Sequence, residues 1–172
     1  MTNESPTAAP AGIGGHPYLL AQPATPGAVD AWTIHVPAEE VMLVSIDTLI
    51  PVGSVHVAHA PELDLRSTRA LRGIALNHAY SRLGRDSAGL ARVTVTDHSG
   101  TGVEMEWDER CPWVQIYTAD AGAPSSYRSG VAVEPMTCPP DALNSKRDLG
   151  VVRPGESLSA GWTIRRLARP RS

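Results

Sequence analysis

Between Ser129 and Ser145 the chain reads SGVAVEPMTCPPDALNS, and this stretch limits the possible folds more than any other. Val131 and Val133 are β-branched and alternate with Ala132 and Glu134, which is the two-residue period of a strand. Pro135 then removes a ladder donor, and Pro139-Pro140 prevent regular continuation. A carboxylate, Glu134, is therefore expected at the last hydrogen-bonded position of an apolar strand, facing a loop stiffened by proline. Prolines and glycines number 15 each, and they break up the rest of the chain in the same way. That density of turn formers predicts many short strands joined by turns, in an all-β, antiparallel sandwich.

The other segments agree with this prediction. Ala31 to Val36 alternates with Trp32, Ile34 and Val36 on one face. Val41 to Ile46 is more continuously apolar and reads as a strand buried on both sides. Pro51-Val52-Gly53 reads as a turn, and Ser54 to Ala58 as a third strand with Val55 and Val57 inward. Leu71 to Leu83 has a mixed pattern, read as a turn of helix and irregular loop. Leu90 to Thr96 and Val103 to Trp107 flank Asp97-His98-Ser99-Gly100-Thr101-Gly102 as a hairpin. Trp113 to Thr118 is a further strand. Leu158 to Leu167 is the last, with Trp162 and Ile164 inward. In domain terms, residues 1–15 read as a flexible Ala/Pro/Gly/Ser-rich segment, 16–168 as one sandwich domain, and 169–172 as a basic tail.

Composition excludes several function classes. The net charge of −3 gives no nucleic-acid footprint, and the one basic cluster (Arg165, Arg166, Arg169, Arg171) is terminal and reads as solvated. No apolar run is long enough for a membrane helix, and Thr2 to Pro10 lacks the apolar core of a signal peptide. Cys111 and Cys138 lack CxxC or His spacing, which argues against zinc, and they read as reduced thiols in a cytoplasmic protein. His35, His56 and His59 alternate with apolar residues without a carboxylate or cysteine at ligand spacing, so they read as rim residues.

A second motif lies near the start of the chain. In Gly12 to Gln22, GIGGHPYLLAQ, Pro17 biases His16 towards an extended backbone, and Tyr18, Leu19 and Leu20 begin a strand. Gly-x-Gly-x-His-Pro-Tyr-Leu resembles one signature of the aldose 1-epimerase (galactose mutarotase) family. Glu134-Pro135-Met136, Pro139-Pro140-Asp141-Ala142 and Asn144 resemble its C-terminal signature, with Leu143 where an aromatic is common. Ile50-Pro51, the Gln115-x-Tyr117 strand and the closing Pro154-Gly155-Glu156 turn with Trp162-x-Ile164 are similar to family motifs as well.

The resemblance implies a partial mutarotase-like super-sandwich in which Glu134 is the catalytic base and His16 the general acid. It implies Asn77, His78, Gln115 and Tyr18 as substrate-binding residues. Asn77 stands where the family usually has an Asp, so an acceptor oxygen is kept, a charge is lost and a donor is gained. Mutarotation moves protons only, so no cofactor and no metal are implied. The substrate would be a monosaccharide hexose or a sugar-phosphate relative. A retaining glycosidase would need a second carboxylate in the same setting, and Asp141 reads equally well as a loop cap.

The resemblance runs from about Thr2 to Leu167 but covers only the latter part of the family's domain, so the chain is expected to begin inside that domain. Early strands missing from the sandwich would leave unpaired edges able to self-associate. Two functions are therefore expected to compete: an aldose 1-epimerase, and a non-catalytic carbohydrate-binding remnant or inactive truncated form.

Overall fold

The computed structural model describes residues 1–121 and 123–168. Its strands are β1 (Ala9–Ala11), β2 (Tyr18–Leu19), β3 (Thr33–His35), β4 (Ala38–Val44), β5 (Pro51–His56), β6 (Arg69–Ala70) and β7 (Asn77–Leu83), followed by β8 (Ala91–Thr96), β9 (Gly102–Trp107), β10 (Trp113–Tyr117), β11 (Val131–Met136), β12 (Gly150–Val152) and β13 (Trp162–Leu167). Among the described residues the only α-helix is the single turn α1 (Ala142–Ser145), and no helix is long and apolar enough to cross a membrane. One sheet runs β2-β11-β10-β7-β4-β5 and a second runs β13-β9-β8-β3-β6. All pairings within both are antiparallel. The expected all-β antiparallel sandwich is what forms.

Alternation puts one face of each sheet into a shared core. Trp32, Ile34, Val36, Val93, Val95, Met105 and Trp107 from the five-stranded side meet Val41, Tyr80, Val114, Ile116, Val131 and Val133 from the six-stranded side. Each such side chain contributes on the order of 1.5–3 kcal/mol by leaving water. With no phenylalanine in the chain, tryptophan and tyrosine supply the aromatic bulk, and two of the buried ones have their polar tips satisfied within the core. Trp107 Nε1 donates to the Cys111 carbonyl at 3.0 Å, and the Tyr80 hydroxyl donates to the Leu63 carbonyl at 3.1 Å.

Several local expectations are corrected. Asn77 to Leu83 is a seven-residue strand rather than helix and loop, because β7 lies between β10 and β4 and gains ladder bonds on both sides. The turn expected at 51–53 falls earlier. Leu49 adopts a left-handed conformation and its N–H bonds the Ser45 carbonyl, and Pro51 then opens edge strand β5. Val41 and Met42 are buried, but Ile46 lies beyond the sheet and is 96% exposed. Val57 is buried from a short 3₁₀ turn, Val57–His59, rather than from a strand. Ile164 is exposed because β13 is a sheet edge, while Trp162 packs partly against the core. The segment 1–15 is tied down: β1 pairs with β12, and the Asn3 amide donates to the Val152 carbonyl at 2.8 Å. The arginines at 169 and 171 lie outside the described residues.

Candidate active site

The outer face of the six-stranded sheet carries the residues that do not belong to the core. Register arranges them in rows. Trp113 and Met136 stand opposite each other at one end. Next comes the row Ala79, Gln115, Glu134, and beyond it Asn77, Tyr117, Ala132, Tyr18. Ala79 and Ala132 are small and buried, so they raise no bulky side chain between the polar residues.

Pro135 does not end the strand. On β11 the N–H of Val133 points away from β10 and donates to the Pro17 carbonyl at 3.2 Å, so the nitrogen of Pro135 points to that same outer side. A proline is tolerated there because β10 asks nothing of its nitrogen. The segment leading into β2 runs antiparallel to β11, with Gly14 bridging Met136 and Tyr18 pairing Ala132. This register sets His16 directly across from Glu134. The flanking bonds, Gly15 N–H to the Pro135 carbonyl and Val133 N–H to the Pro17 carbonyl, show that the His16–Glu134 couple is of the non-hydrogen-bonded kind, in which side chains approach most closely. Each flanking couple contains one proline and so keeps one bond of two.

His16 Nε2 lies 3.1 Å from Glu134 Oε1, with the imidazole 56% exposed and the carboxylate 14% exposed. Burial pushes the Glu134 carboxyl above its ordinary range, and the nearby imidazole pulls it partly back. The Tyr18 ring stands 5.1 Å from the His16 ring, centroid to centroid. Burial, reinforced by Tyr117 and Glu134, raises the Tyr18 phenol. The arrangement is an imidazole and a carboxyl within ion-pair distance, the first half-exposed and the second mostly buried.

The glycines before His16 are explained by close approach. A Cβ on Gly12 would lie 2.5 Å from Cys138 Sγ, and one on Gly15 would lie 2.3 Å from Cζ2 of Trp162. Bare backbone is what lets this segment lie against the end of β11 and beneath the indole.

Gln115 and Asn77 reach the same face, and Gln115 Nε2 donates to Asn77 Oδ1 at 2.7 Å. His78 pairs with Ile116, so its side chain leaves β7 on the other side from Asn77, and burial lowers its pKa; it nonetheless lines, with Asn77 and Tyr117, one cavity at this end of the sheet. A residue next to a site residue on a strand necessarily faces the other way. Asp141 sits in the exposed loop before α1, where its backbone carbonyl accepts from Ser145, so it supplies no second carboxylate at Glu134.

Sequence reasoning missed Trp113, Arg147 and Asp148. Trp113 Nε1 donates to Asp148 at 2.8 Å, and the Arg147 guanidinium lies 4.4 Å above the indole while pairing with Glu40 at 2.6 Å. These contacts fold the Pro-rich loop over one end of the face, and no local motif announces them. Among the described residues no cluster of three or more His, Cys, Asp or Glu forms a metal site. Cys111 and Cys138 are free thiols.

Two antiparallel sheets packed face to face, with this outer face, define a β-sandwich of the galactose mutarotase-like class. A galactose mutarotase-like protein from Clostridium acetobutylicum is similar with a TM-score of 0.73 at 15% identity, over 95% of this chain and 50% of that one. Galactose 1-epimerase from Lactobacillus acidophilus is similar with a TM-score of 0.65 at 15% identity, over 94% and 48%. The uncharacterized protein YihR of Escherichia coli K12 is 32% identical over 156 residues, 90% of this chain and 46% of that protein. A family model for aldose 1-epimerase matches residues 1–165. The chain belongs to the aldose 1-epimerase family, and it spans about half the length of these relatives.

Proposed function

We propose that the protein interconverts the α and β anomers of a hexose by general acid/base catalysis. The observation that carries this reading is the His16–Glu134 couple, 3.1 Å apart on one open sheet face. Glu134 takes the proton from the anomeric hydroxyl while protonated His16 gives one to the ring oxygen. The bond from C1 to the ring oxygen breaks, and the hydroxyl becomes the aldehyde carbonyl. After rotation about C1–C2 the ring hydroxyl attacks the other face of the carbonyl, His16 recovers its proton, and Glu134 returns its own to the anomeric oxygen. Protons balance over the cycle, and the raised Glu134 carboxyl suits a group that must release a proton as well as accept one. In this reading Asn77, Gln115 and Tyr18, which share the face with Ala132, hold the sugar.

The competing reading is a chain that binds sugar without turning it over. The neutral Asn77, where the family usually has an Asp, favours it. Polarimetry of freshly dissolved α-D-glucose or α-D-galactose separates the two. Under the catalytic reading the protein speeds equilibration, and Glu134→Gln removes a factor on the order of 10² or more of that increment. Equilibration at the buffer rate, with sugar binding still measurable by calorimetry, leaves only the binding reading.

A further inference from the structure

Gln115 presents an anomaly on this face. Its Nε2 is committed to Asn77 Oδ1, yet its Oε1 is buried and has no hydrogen-bond partner, the one such side-chain atom found among the described residues. Buried acceptors without partners are rare and call for an explanation. Gln115 pairs directly with Glu134 across the ladder, so their Cβ atoms are about 5 Å apart on the same face. The orphan oxygen thus belongs to the side chain that stands across the ladder from Glu134 on the same face.

An amide presents either an oxygen or an NH₂ depending on which way it is turned. Residue 77 is also an amide, so the bond between the two can be reversed with nothing lost. Asn77 Nδ2 then donates to Gln115 Oε1, and Gln115 Nε2 turns towards Glu134. The outward half of the half-exposed Asn77 amide makes no hydrogen bond to another described residue, so turning it breaks none. In the first arrangement Gln115 offers Glu134 an acceptor, which suits a protonated carboxyl. In the second it offers a donor, which suits a carboxylate.

We propose that Asn77 and Gln115 form a reversible amide pair that follows the proton on Glu134, with Gln115 bonding the base in both of its states and Asn77 acting as the positioning residue that permits the turn. The inference deepens the catalytic reading and rests on Glu134 as the base. The other titratable groups facing Glu134 are His16 on the preceding segment, Tyr18 on β2 and Tyr117 on β10; from β7 the face receives Asn77, Ala79 and Ser81, which do not titrate. Farther along the face Glu40 is held by Arg147.

Side-chain NMR tests the pair without any turnover. The amide signals of Gln115 and Asn77 and the carboxyl carbon of Glu134 are followed together through a pH titration. The expected result is that both amides shift with the midpoint of Glu134. In Asn77→Asp, residue 77 only accepts, so Gln115 Nε2 stays bound to it at every pH, Oε1 faces the base, and the Gln115 NH₂ signals lose the large change that a switch of partner produces. The Glu134 midpoint then rises by about one pH unit. That shift includes the new charge at 77, which is measured separately as Asn77→Asp in a Gln115→Met background, and the rise should be larger when Gln115 is present. Amide signals flat through the Glu134 titration in the unmodified protein overturn the proposal, as does an equal shift in the two backgrounds. Absent turnover with co-titrating amides would instead count against the catalytic reading alone.

Discussion

Gly15 offers a sharp test of how His16 is held against Glu134. In Gly15→Ala the new methyl would lie 2.3 Å from Cζ2, 2.5 Å from Cη2 and 3.1 Å from Cε2 of Trp162. Carbon atoms pack best at about 3.5–4.0 Å, so ring and backbone must separate by more than about 1 Å. Trp162 is in β13, opposite Trp107, and packs on the core, so it yields little. The segment carrying His16 yields instead, being held on either side of the couple by single bonds of 3.2 Å, from Gly15 N–H and to the Pro17 carbonyl. A shift of about 1 Å at a reacting group costs on the order of 10²-fold in rate, and the overpacking costs about 1–3 kcal/mol of stability. Urea denaturation measures the second and polarimetric equilibration of α-D-glucose the first. The double variant Gly15→Ala, Trp162→Leu removes the obstructing ring and should recover most of both losses. A single variant as fast and as stable as the unmodified protein, or a double variant no better than the single, would refute the argument.

Other expectations follow from the charged residues. Arg128 is 3% exposed, pairs with Asp30 and Asp120, and donates to the carbonyls of Leu71 and Ile74 at 2.8 and 3.0 Å. Arg128→Met strands all four partners and should cost on the order of 3 kcal/mol in a urea titration, and Lys should not rescue it because one ammonium lacks the guanidinium fork. A loss below about 1 kcal/mol would show that water replaces the guanidinium. Asp97 falls from its ordinary 3.8 to about 2, held down first by the Ser99 hydroxyl and then, against the opposing effect of burial, by the Gln22 amide and the backbone N–H groups of Ser99 and Thr101. The folded state then binds fewer protons than the unfolded one, so this stabilisation is present above 3.8 and is lost as pH falls towards 2. Urea midpoints should therefore drop across that window, and Asp97→Asn should flatten the drop; an unchanged slope would count against this origin.

Much of the architecture was legible in the residue pattern. Alternation at Trp32, Ile34 and Val36, and at Val131 and Val133, marks inward faces because a strand's side chains must alternate, whatever their partners. The hairpin around Asp97 was legible because turn chemistry is local: Asp97 Oδ1 accepts from the N–H groups of Ser99 and Thr101. Gly102, at the start of β9, explains its own presence, since a Cβ there would lie 2.0 Å from the Val95 carbonyl oxygen. The resemblance of the Gly-x-Gly-x-His-Pro-Tyr-Leu and Glu-Pro-Met signatures to the aldose 1-epimerase family also named His16 and Glu134 as the couple to look for.

What residue order could not supply is register, and register decides the site. Residues 118 apart in the chain become cross-strand neighbours only because the segment before β2 lies against β11 in one particular alignment, and a slip of one residue would have turned His16 to the other face. The same alternation sends Asn77 and His78 off opposite sides of β7, yet the packing of distant segments leaves both lining one cavity. Burial of Arg128, the indole over Gly15 and the unpartnered oxygen of Gln115 all arise from contacts between distant segments. Local propensity acts over a few neighbouring residues, so it can set which way a side chain points along its own strand, but the group it meets there depends on how the strands are packed together.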